Sequence, residues 1–142
     1  EMDPAATQPK FVVKRTSQTI SATNSNSSHQ INLPAGNALR SIKFYTSDNG
    51  VATDNGINSI LCGNGLDTRV QGTARALRNR VRGYKATQSG FNEVDFARQT
   101  RSGVKASDAW AVPSPSQPML TLDYTGAPGR TIEMVITEYV QA

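Results

Sequence analysis

Two-residue alternation of apolar and polar side chains near the C-terminus constrains this chain most. Leu120, Leu122 and Tyr124 alternate with Thr121 and Asp123, and Ile132, Met134 and Ile136 alternate with Glu133 and Thr137. Successive strand side chains point to opposite faces, so each run predicts a strand with one face buried and one wet. The linking segment, Thr125-Gly126-Ala127-Pro128-Gly129, is made of turn residues. The same alternation, Ile42 and Phe44 against Lys43 and Tyr45, predicts a strand over Leu39 to Thr46.

Weaker signals fill in the rest. Phe11 to Ile20, His29 to Leu33 and Phe91 to Ala97 read as strands, the second stopped by Pro34-Ala35-Gly36. Between the first two, Ser21 to Ser28 reads as a polar loop. Ile57 to Cys62 and Leu66 to Val70 flank Gly63-Asn64-Gly65, and short runs around an Asn-Gly step predict a hairpin. One helix is predicted, over Thr73 to Tyr84. There Ala74, Leu77, Val81 and Tyr84 make one apolar stripe, with Thr73 as cap and Gly83 near the end. Asp48 to Gly56 reads as a loop, and Ala106 to Val112 as a loop or a helical turn around Trp110.

These elements predict an all-β chain, an eight-stranded antiparallel jelly-roll sandwich with one inserted amphipathic helix at 73–84. A chain of 142 residues can bury one continuous core. The expected organisation is an extended arm over residues 1–10, held extended by Pro4 and Pro9, and one jelly-roll domain over 11–142. No apolar run approaches the roughly 20 residues needed to span a bilayer as a helix, and the first residues lack the pattern of a signal peptide.

Charge is unevenly spread. From Arg69 to Lys105 there are nine basic residues against Glu93 and Asp95, whereas the rest of the chain holds six basic and nine acidic residues. The basic region is centred on the helix. Arg75, Arg78 and Arg82 recur at i, i+3 and i+7 away from the apolar stripe, with Arg80 beside them and Arg69 and Lys85 flanking. Such a face could meet phosphates of nucleic acid or lipid headgroups, or it could be the solvated or subunit-facing side of an amphipathic helix. No aromatic residues interleave the arginines, which argues against stacking on single-stranded bases.

Taken in order, the pieces resemble one barrel of the major coat proteins of tailless, membrane-containing icosahedral phages, the corticovirus group especially. The resemblance lies in Gln30-Ile31-Asn32-Leu33-Pro34-Ala35-Gly36, Arg40 to Tyr45, Ile57-Asn58-Ser59-Ile60 through Gly63-Asn64-Gly65, and the Arg-rich helix. It continues in Gly90-Phe91-Asn92-Glu93-Val94-Asp95-Phe96, Leu120-Thr121-Leu122-Asp123 and the closing Glu138-Tyr139, and so covers the chain from about His29 onward. Coat proteins of that group usually join two barrels in one chain, and this sequence has length for one.

The resemblance implies a structural capsid protein, not an enzyme, that self-assembles into the shell of a phage or virus particle. It implies homo-oligomeric capsomers, other capsid proteins as partners, contact with an internal membrane or genome through the basic helix, and no cofactor or small-molecule substrate. The expected location is the virion, after synthesis in the host cytoplasm. Trp110, beside a Pro-rich stretch, is a candidate subunit contact and equally a core plug. The alternative from another class is a jelly-roll glycan- or receptor-binding module of a virion spike, with Tyr45, Trp110 or Tyr124 as stacking platforms.

Catalytic and metal constellations find little support. His29 is the only histidine, which argues against triads and multi-histidine sites, and it reads as a loop-edge residue. Cys62, the only cysteine, reads as a buried thiol. Glu93 and Asp95 share a strand face that alternation places toward solvent. Asp48, Asp54 and Asp67 are scattered over turns without the spacing of a calcium loop.

Overall fold

The computed structural model describes residues 11–64, 67–82, 86–96, 109–111 and 117–141. The arm, Leu66, Gly83, Tyr84, Lys85 and most of the 97–116 segment lie outside them.

Two antiparallel sheets form. The first joins β1 (Phe11–Ser21), β10 (Arg130–Gln141), β3 (Ala38–Asp48) and β7 (Phe91–Asp95), with two short strands, β4 (Val51–Ala52) and β8 (Trp110–Ala111), also paired to β3. The second runs β2 (Asn26–Asn32), β9 (Met119–Tyr124), β5 (Ile57–Asn64), β6 (Asp67–Thr73). The eight longer strands cross repeatedly between the sheets, which is the jelly-roll order. Helix α1 (Ala74–Arg82) joins β6 of one sheet to β7 of the other.

The alternating runs supply the core. Ile42, Phe44, Ile132, Met134 and Ile136 of the first sheet cluster with Ile60, Cys62, Leu120, Leu122 and Tyr124 of the second, as inner faces of a sandwich do. A bulge in β3 breaks strict alternation usefully. Thr137 pairs with Ser41 but Glu138 pairs with Leu39, so Arg40 is the extra residue, and Leu39 and Ile42 both reach the core.

Several expectations need correction. β2 starts at Asn26, inside the stretch read as a loop, so His29 is a strand residue; its ring meets Tyr124 edge-on at 5.7 Å. The 48–56 loop contains β4, formed where Asn49, at φ 49°, and Gly50, at φ 85°, let the chain fold back on β3. Trp110 belongs to a two-residue strand and not to a helical turn, because it pairs with Leu39 of β3.

The turn between β9 and β10 is pinned at both ends. Arg130, only 6% exposed, donates to both carboxylate oxygens of Asp48 (2.7 and 3.0 Å) and to the Thr125 carbonyl at 2.7 Å. The guanidinium holds the Asp48 carboxyl below its ordinary titration range. Gly126 lies against the β1–β2 loop and donates to Ser25 Oγ at 2.8 Å.

One strand differs from the rest. β1 pairs with β10 in unbroken register from Phe11 to Ser21, yet residues 12–19 are all exposed, so both its faces are wet. Among the described residues nothing pairs with its other edge.

Candidate functional site

The helix places the basic residues. Thr73 Oγ1 accepts the Ala76 N–H at 3.1 Å, the N-cap bond expected of that threonine. Ala74, Leu77 and Val81 are buried, and Leu77 packs over Gly72, where a Cβ would sit 3.4 Å from Leu77 Cγ.

At about 100° per residue, Arg75, Arg78, Asn79 and Arg82 fall within one roughly 100° arc beside that stripe. Together with Asp54, Asn55, Asn58 and Thr73 they line a cleft of about 430 Å³. Arg78 is the most enclosed, with its side chain 14% exposed. Its Nη2 lies 3.4 Å from Asp54 Oδ1 and donates to Asn92 Oδ1 at 3.3 Å. Asp54 Oδ1 also accepts the Gly90 N–H at 2.7 Å. Arg78 therefore ties the helix to the β4–β5 loop and to β7. Arg82 Nε donates to Thr87 Oγ1 at 3.0 Å, and Arg75 is exposed.

The other basic residues are not gathered here. Arg80, expected beside the three arginines, sits on the opposite flank in a small crevice with Val70, Glu93 and Asp95. Arg69 is exposed on β6, and Lys85 lies outside the described residues. On the near side of Arg78 a second cleft of about 270 Å³ is lined by Lys43, Val81, Thr87, Phe91 and Glu93.

Sequence reasoning missed Asp54, Asn92 and Thr87. Asn92 carried a usable signal: it shares the Val94 face of β7, and a polar residue on a buried face needs a partner. Asp54 and Thr87, in loops, carried none.

No family model matches the chain, and no curated protein matches it by sequence. Solved structures do match. The major capsid protein of bacteriophage PM2 superposes with a TM-score of 0.64 at 11% identity, over 93% of this chain and 45% of that one. The fold is that of a viral capsid barrel. The PBCV-1 virus capsid (TM-score 0.55, 12% identity, 94% of this chain and 49% of that one) and the STIV MCP (0.54, 16%, 92% and 48%) share it. The chain spans about half the length of these three. In each the matched share of the chain exceeds the stretch from His29 on which the sequence resemblance rested.

The remaining chemistry-bearing residues stand apart from the cleft. Trp110 lies tilted against Phe96, with ring centroids 5.3 Å apart, and packs against the core. Glu93 and Asp95 share the outer face of β7, where Glu93 stands opposite Lys43. Among the described residues no three His, Cys, Asp or Glu side chains gather as metal ligands.

Cys62 is fully buried, and burial pushes its thiol up to about 12. A thiol exposed by unfolding ionises near 9, so between about pH 9 and 12 the unfolded chain has lost a proton that the folded chain keeps. Stability therefore falls as pH rises through that window, by roughly 1.4 kcal/mol per pH unit. Cys62→Ala should remove this component from the alkaline limb of a denaturation series. Native protein at pH 8 should react with a disulfide reagent at least ~100-fold more slowly than protein in denaturant.

Proposed function

We propose that the chain is a structural coat subunit that self-assembles into the icosahedral shell of a phage or other virus particle. Its work is mechanical, not catalytic, and its place is the virion. The superposition on the PM2 major capsid protein over 93% of the chain carries this reading. The barrel supplies a rigid wall, and modest contacts repeated by symmetry supply the free energy of closure.

The shape of β1 supports it. Soluble proteins normally shorten or cover edge strands. Here, among the described residues, an 11-residue strand is held by one ladder, with Val12 and Val13 exposed. Lys14 and Arg15 discourage indiscriminate strand addition while leaving the edge available to a neighbouring copy of the chain. Membrane or genome contact through the basic helix belongs to the same reading and rests on charge.

The ring disposition disfavours a glycan-binding module. Tyr45 lies against Phe91 at 4.8 Å, Trp110 against Phe96, and Tyr124 is buried. Sedimentation velocity and negative-stain electron microscopy of the purified chain test the proposal. Capsomers or closed shells are expected. A monomer at every concentration, together with selective binding on a glycan array, would overturn it.

A further inference from the structure

We propose that the cleft walled by Arg75, Arg78 and Arg82 is a binding site for a phosphate-bearing headgroup.

Three arginines line this cleft and, among the described residues, one carboxylate, Asp54. That carboxylate is already engaged by Arg78 and by the Gly90 N–H. The cleft thus keeps a net positive charge. Guanidinium forks match phosphate oxygens in pairs, more specifically than an ammonium does.

Two of the three side chains are positioned in advance, Arg78 by Asp54 and Asn92, and Arg82 by Thr87. Ordering them on binding therefore costs less entropy. Asn55, Asn79 and Thr73 add neutral hydrogen-bonding groups to the walls.

Shape narrows the class of ligand. About 430 Å³ falls in the range of small-ligand sites. It suits a phosphate ester or pyrophosphate with its attached polyol, and it is a recess where a duplex groove reader would present a convex element. Among the described residues no Phe, Tyr or Trp lines it, and none offers a platform for a base. The shared chemistry is a phosphomonoester or phosphodiester headgroup, free in solution or carried by a lipid. The inference does not rest on the coat reading: a chain that assembles without binding phosphate, or binds without assembling, separates the two.

Calorimetry with inorganic pyrophosphate tests it on the intact chain. Saturable one-site binding is expected, weakened about tenfold or more in the double variant Arg75→Gln/Arg82→Gln. Arg78 is left in place because it also holds the fold. The control Arg69→Gln/Arg80→Gln removes the same charge from elsewhere and should change affinity less than about twofold. Circular dichroism confirms that both variants fold.

Flotation with phosphatidylcholine vesicles, with and without phosphatidate, then separates the sources. Phosphatidate-dependent binding displaced by pyrophosphate identifies a lipid headgroup; pyrophosphate binding without vesicle binding identifies a soluble ester. The proposal is overturned if pyrophosphate does not saturate, if both double variants lose affinity equally, or if single-stranded DNA binds where pyrophosphate does not. It is also overturned if the Arg75/Arg82 variant fails only in assembly, which would make the cleft a seat for a neighbour's carboxylate.

Discussion

Replacing Phe44 with Ala should destabilise the barrel by about 3–5 kcal/mol, read as a lower denaturant midpoint at unchanged slope. Phe44 is fully buried in the middle of β3, between its partners Met134 on β10 and Asn92 on β7. It lies in the cluster that joins both sheets. Truncation removes the aromatic area and leaves a cavity that two hydrogen-bonded ladders cannot close over. Tyr45→Ala, one residue along and half-buried on the outer face, should cost clearly less. Equal costs at 44 and 45 would mean that the face assignment of β3 is wrong.

Gly126→Ala should be nearly as damaging, at about 3 kcal/mol or more, although it adds a single methyl group. A Cβ at Gly126 would sit 2.5 Å from both the Asn24 carbonyl carbon and the Ser25 nitrogen. Those are backbone atoms and cannot swing aside as a side chain would. The β9–β10 turn and the β1–β2 loop would have to part, breaking the Gly126 N–H bond to Ser25 Oγ. Gly50→Ala is the informative comparison: its strain comes from positive φ, with no neighbour within 4 Å, so it should cost only about 1 kcal/mol. Thermal unfolding of both variants checks the difference, and a Gly126→Ala chain as stable as the parent would contradict the contact.

These two positions mark where sequence legibility ends. Phe44 was readable because period-two alternation is imposed by the strand itself, and the same logic found Leu120, Leu122, Ile132, Met134 and Ile136. Gly126 was readable as a turn residue, but the backbone it touches lies about a hundred positions away in sequence. Glu138 shows the limit of alternation. It continues the inward face of Ile132, Met134 and Ile136, is 1% exposed, and accepts a hydrogen bond from Asn37 Nδ2 at 3.3 Å. A glutamate near the end of a strand gives no local sign of burial. The bulge that turns Leu39 inward is equally silent, since it depends on pairing between strands and on no turn residue.

The helix was legible in its periodicity, its cap and its buried stripe. Arg75, Arg78 and Arg82 share one arc because 3.6-residue geometry follows from position alone, but that arc lies beside the apolar stripe and not away from it, and Arg78 is largely enclosed. What surrounds them was not legible. Arg80 faces another crevice, and Arg78 is fixed by Asp54 and Asn92, which tertiary structure alone brings together. β1 was recognisable as a strand, but its wet faces were not foreseeable, because they depend on where the other sheet stops.

That strand offers the most direct test of the claim that this barrel is a wall element completed by its neighbours. Along an edge strand, alternate amides point toward the paired strand and the others point away. Hydrogen exchange on residues 12–19 in dissociated subunits should show slow exchange for amides facing β10 and fast exchange for those facing outward. In assembled particles both sets should be slow. Outward-facing amides that exchange equally fast in subunits and particles would contradict coverage of β1 by a neighbour, and a chain that yields no particle at all would contradict the coat reading itself.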